Sequence, residues 1–115
     1  MSITRHEPSA IYSKVVEANG FVFTSGIVAD DLKQNAKGQT QQILAEIDRL
    51  LALCGTDKSK AISATIWLTD IRNRDAMNEV WNQWTGGKNL PTRACIEARL
   101  ATPAMLVEIA VTAAK

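Results

Sequence analysis

Two lone charges, Arg93 and Glu108, stand where the chain otherwise reads as buried strand. Arg93 opens Arg93-Ala94-Cys95-Ile96-Glu97-Ala98-Arg99-Leu100, in which polar and apolar residues alternate. Glu108 interrupts Met105-Leu106-Val107-Glu108-Ile109-Ala110-Val111, which is apolar on both sides of it. A carboxylate in such surroundings is costly to bury unless it is paired, hydrogen-bonded or neutralised, so Glu108 is a candidate acid/base group. An arginine on a neighbouring strand is a candidate fork for a substrate carboxylate. Two other readings remain open: an ion pair across strands, or two ordinary surface charges. Glu97 and Arg99, farther along the strand of Arg93, read as a surface or interface charge network. Cys95 has no histidine to activate it and reads as a small sheet residue, not a nucleophile.

Metal chemistry has little to work with. The only histidine, His6, lies near an end of the chain and is expected to be solvated. Cys54 and Cys95 lack the short spacing of a zinc or redox motif, so no metal site is expected. Cys54 falls on an apolar helical stripe and is expected to be a small core residue.

The elements that must position these groups follow from periodicity. Ile3-Thr4-Arg5 is a candidate edge strand. Residues 12–18 and 21–26 alternate as strands around Asn19-Gly20, a pair that tolerates positive φ and marks a tight hairpin. Residues 30–38 form a polar loop. A helix is expected from Gln39 to Cys54, with Ile43, Leu44, Ile47, Leu50, Leu51 and Cys54 on one face. Gly55 stops it. Ala61 to Leu68 is a strand, with Ile62, Ala64, Ile66 and Leu68 on one side. A second helix spans roughly Asp75 to Trp84 and buries Met77, Val80, Trp81 and Trp84. Strands from Thr92 to Leu100 and from Leu106 to Ala113 close the chain.

The order β-β-α-β-α-β-β describes an α+β fold over residues 1–115, one domain by size. Two helices cover only one face of a mixed sheet. The other face carries Thr65, Arg93, Cys95, Glu97 and Glu108 among its candidates and points to a homo-oligomer. Hydrophobic residues make up 46% of the chain, enough for a core, and the net charge is only +1 with no basic run. That balance argues against nucleic acid as a partner. No signal-peptide core or membrane-length apolar run is visible, so a soluble cytoplasmic protein is expected.

Pro91-Thr92-Arg93-Ala94-Cys95, then Glu97-Ala98-Arg99-Leu100 and Val107-Glu108-Ile109, resemble the Rid family of reactive-intermediate (enamine/imine) deaminases, also known as L-PSP endoribonuclease-like proteins. Thr24-Ser25-Gly26, Tyr12 and Asn78 also match family positions. Ala10-Ile11 before Tyr12, Ile27-Val28 after Gly26 and the short loop up to Gly38 mark a shorter subgroup. The resemblance implies a chorismate-mutase-like fold and a homotrimer with three clefts between subunits. It implies hydrolysis of 2-imino or 2-enamino acids to 2-oxo acids and ammonia, without metal or organic cofactor. It implies Glu108 and Arg93 as the catalytic residues, with Arg93, Cys95, Tyr12, Ser25, Gly26 and Asn78 around the substrate. The competing functions are a non-catalytic module binding small carboxylates such as 2-oxo acids and, less well supported, an endoribonuclease, which a chain with no histidine acid/base pair does not favour.

Overall fold

Asn19 and Gly20 take φ of 53° and 81°, so the turn between the first long strands is of the primed type that matches sheet twist. It joins β2 (Ser13–Ala18) to β3 (Phe21–Thr24) in the computed structural model, which describes all 115 residues. The candidate edge strand is longer than its three suggestive residues: β1 (Ile3–Pro8) pairs with β2 from Ile3↔Ala18 to Pro8↔Ser13. The sheet therefore has six strands, in the order β1-β2-β3-β6-β4-β5.

The first helix, α1 (Ala36–Leu53), starts three residues before the apolar stripe suggests. Asn35 is the reason. Its side-chain oxygen accepts the Gly38 amide at 2.9 Å and caps the helix start. Gln39 is fully buried in the first turn. Its Nε2 donates to the carbonyls of Gln34 and Ala104, and its Oε1 accepts the Leu106 amide. This buried amide ties α1 to the segment leading into β6, and each group it buries is satisfied.

β4 (Ala61–Leu68) runs parallel to β5 (Thr92–Glu97), and α2 (Arg74–Thr85) makes the crossover between them. Gly86, at φ 63°, ends α2. β6 (Val107–Ala114) lies at the sheet centre, antiparallel to β3 and β4. Both helices lie on one face. Val15, Val22, Ala64, Ile66, Leu68, Val107, Ile109 and Val111 point into the core with Ile43, Leu44, Ile47, Leu50, Leu51 and Met77.

Four further departures from expectation appear within these elements. Ile62 is exposed, because a register shift between Ala61 and Ser63 turns it out of the alternation. β5 stops at Glu97 rather than Leu100, since it is an edge strand paired only with β4. Trp84 is half-buried, with its Nε1 donating to Asp48 at 3.0 Å across the helix pair. His6 is no solvated terminal residue: it sits in β1 and pairs with Glu17 at 2.5 Å.

Candidate active site

Thr24-Ser25-Gly26 is a bulge whose three side-chain choices each have a separate job. Phe23 faces Thr112 and Ile27 faces Ile109, so four steps along one strand oppose three along β6. The Thr24 hydroxyl accepts the Val111 amide at 2.9 Å, replacing the ladder acceptor that the bulge removes. Ser25 donates both its amide, at 2.8 Å, and its hydroxyl, at 3.0 Å, to the Lys14 carbonyl. Mutual bonds of 2.8 and 3.0 Å between Ile27 and Ile109 then resume the pairing.

Gly26 makes room for Glu108. A β-carbon built at Gly26 would lie 2.1 Å from Glu108 Oε2 and 2.9 Å from its Cδ. Only glycine lets the carboxylate rest against this backbone. Val107 and Ile109 are buried under the helices, so Glu108 between them points to the uncovered face, in register with Trp67 of β4. Its carboxylate makes no ion pair or hydrogen bond within the chain, and burial pushes the carboxyl above the ordinary carboxylate value.

Tyr12, Ser25 and Gly26 line one cavity of about 700 Å³ at the junction of β2, the bulge and α1. Lys14, Glu46 and Arg49, which are not among the candidates named above, line it too. Lys14 pairs with Glu46, and Arg49 bonds both Glu46, at 2.6 Å, and Glu7, at 2.8 Å on each guanidinium nitrogen. Arg49 and Lys14 hold the Glu46 carboxyl down to about 2. The i,i+3 spacing of Glu46 and Arg49 was the one available signal, and it reads as an ordinary helix surface pair.

Arg93, Cys95 and Asn78 belong to a second cluster. Arg93 and Cys95 are in register with Ala64 and Ile66, both core-facing, so they lie on the helix-covered side of the edge strand. Their expected place on the uncovered face is therefore corrected, and so is that of Glu97, which is in register with Leu68. The parallel register carries this correction; alternation alone could not say which set faced the helices. The Arg93 guanidinium carbon lies 5.4 Å from the Trp81 ring centroid, a cation–π arrangement, and it has no carboxylate partner in the chain. Asn78 precedes Trp81 by one helical turn, and its Oδ1 is buried without a hydrogen-bond partner. Glu97 accepts the Ile71 amide at 2.9 Å.

The two groups are not on neighbouring strands. β4 lies between β5 and β6, and the two side chains project from opposite faces. Two strand spacings alone separate them by about 10 Å. No ion pair joins them, so that reading of the two charges is removed. The chain thus carries two separate clusters: Glu108 with Gly26, Ser25 and Tyr12, and Arg93 with Cys95 and the α2 residues Asn78 and Trp81.

The family model described as Endoribonuclease L-PSP matches residues 2–115. A RutC family protein of Haemophilus ducreyi is 44% identical over 97% of this chain and 96% of its own length. The solved structure of NMB1025 of Neisseria meningitidis, described as a member of the YjgF protein family, superposes with a TM-score of 0.96 at 44% identity, covering 100% of this chain and 96% of that one. That of YyfA from Yersinia pestis, described as a protein of unknown function of the conserved Rid protein family, gives 0.88 at 30% identity, covering 94% and 90%.

Proposed function

The chain belongs to the Endoribonuclease L-PSP family, to which the Rid and YjgF proteins are related, and from that premise we propose that it hydrolyses 2-imino and 2-enamino acids to 2-oxo acids and ammonia. One observation carries the proposal. Glu108 is an unpaired carboxyl with a raised pKa, seated against a glycine that keeps its surroundings clear. A carboxyl of that kind takes and returns a proton nearer neutral pH than an exposed one does.

The second cluster supplies the anchor. The Arg93 fork is free of any carboxylate in the chain and matches a substrate carboxylate bidentately. Held this way, the imine carbon is fixed for attack by water. Glu108 accepts the proton of the attacking water as oxygen bonds to carbon. It passes that proton to nitrogen, giving a carbinolamine, and then relays the remaining hydroxyl proton to nitrogen as the carbonyl forms, the carbon–nitrogen bond breaks and ammonia leaves. No electron leaves the substrate, so the reaction calls for no redox partner.

Arg93 and Glu108 of one protomer lie on opposite faces of its sheet, so a small substrate meets both only where two copies adjoin. The proposed assembly is a homotrimer with its clefts at those junctions. The cavity lined by Tyr12, Ser25 and Gly26 does not favour the ribonuclease of the family description, because its two cations are already neutralised by Glu7 and Glu46. The test generates 2-iminopropanoate or 2-iminobutanoate in situ with an amino-acid oxidase and follows ammonia release. Faster release with the protein supports the reading. Unchanged release with tight 2-oxo acid binding would make this a carboxylate-binding module instead.

A further inference from the structure

Outside both clusters, His6 of β1, Glu17 of β2 and Cys54 at the end of α1 bring three different donors together. The imidazole nitrogen, carboxylate oxygen and thiol sulfur all lie within 4.8 Å of one another. We propose that these three side chains bind a borderline-soft divalent metal ion, for which Zn²⁺ is the best chemical match. The nitrogen, oxygen and sulfur set is that of tetrahedral zinc, with bonds of about 2.0–2.3 Å. In that geometry ligand atoms stand roughly 3.3–3.7 Å apart. The 2.5 Å contact between His6 and Glu17 has to open, and the longest separation in the cluster has to close by about 1 Å.

The setting fits a cation. Glu17 and Cys54 are mostly shielded from water, while the His6 side chain keeps 23% of its surface exposed and leaves an entry path and a fourth position for water. Burial raises the Cys54 thiol to about 11, so without a metal the sulfur keeps its proton. Binding breaks the S–H bond and sends the proton to solvent, and the sulfur electron pair forms the bond to the ion. His6 coordinates as neutral imidazole through Nε2. One thiolate and one carboxylate then balance the two charges of the metal.

Lys115 fills part of this role in the metal-free protein, donating to Glu17 Oε1 at 2.6 Å. Its ammonium repels an incoming ion and holds the affinity down. The bound ion would fasten the edge strand β1 to the end of α1, so its effect is on stability and not on the Glu108 and Arg93 clusters.

The experiment uses the untagged full chain after dialysis against a chelator. Cobalt(II) is titrated in, the near-ultraviolet thiolate-to-cobalt charge-transfer band is followed, and zinc(II) is then added. We expect one equivalent of cobalt to raise the band and zinc to abolish it. The band should disappear in Cys54→Ser and in His6→Gln, which removes an accessible side chain and leaves the core intact, and persist in Cys95→Ser. Lys115→Met should bind zinc at least threefold more tightly. A folded wild-type protein with no band and no zinc-dependent rise in melting temperature would overturn the site. So would a band that survives in Cys54→Ser or His6→Gln.

Discussion

At the residue scale, the proposed chemistry depends on a carboxylate kept against a bare backbone. Glu108→Gln keeps the shape and removes the titrating group, so turnover should fall about 10²–10⁴-fold while 2-oxo acid binding persists. Its effect on stability follows from the direction of the shift. A carboxyl raised above its ordinary value of 4.5 binds its proton more tightly in the folded state. Glu108 therefore costs nothing below 4.5, and its cost grows as pH rises through the folded value. Glu108→Gln should melt no lower than wild type at neutral pH, and any gain should vanish in acid. A large loss of melting temperature at neutral pH would mean that Glu108 holds the fold together. Arg93→Lys keeps the charge but loses both the fork and the guanidinium contact with Trp81, and calorimetry should show 2-oxo acid binding weakened at least tenfold, as about 1.4 kcal/mol represents.

Both charges were legible in the sequence because each breaks an apolar pattern. Their separation was not. Alternation gives the period of a strand but neither its neighbours nor the face that the helices cover. The strand order that inserts β4 between β5 and β6 is a tertiary fact.

At the element scale, the Thr24–Gly26 bulge links sheet pairing to the site. Thr24→Val keeps the shape but removes the acceptor for the Val111 amide. Thermal melting should show a loss of about 1–3 kcal/mol, the cost of an orphaned buried donor. Glu108 should shift with it, so turnover should fall as well; a variant with wild-type melting would deny the hydroxyl this role. Thr-Ser-Gly was readable as a match and as a strand end. The bulge was not, because the two hydroxyls act on backbone groups of β2 and β6 that lie far away in sequence. Gln39 escaped for a similar reason: a polar residue beside an apolar stripe reads as solvent-facing until the segment it bonds is known.

At the scale of the whole molecule, the sheet has helices on one side only and the chain is 20 Å through its thinnest dimension, about one sheet and one helix layer. The uncovered face presents Phe21, Phe23 and Ile96, between 40% and 46% exposed, around the small Ala94, Ala110 and Thr112. That face suits burial against other copies. Light scattering at micromolar concentration should give a trimer mass, and Phe23→Asp should give a smaller species without turnover. A monomeric wild-type protein would remove the proposed clefts.

In the proposed catalytic site, Arg93 comes from one copy and Glu108 from another. Arg93→Ala and Glu108→Gln proteins, each inactive alone, are unfolded together, refolded as mixed oligomers and assayed for imine hydrolysis. Random mixing should restore roughly a quarter of the wild-type sites, because those sites draw an intact Arg93 from one variant and an intact Glu108 from the other. Mixed oligomers that form in full and stay as inactive as their parents would contradict the shared site.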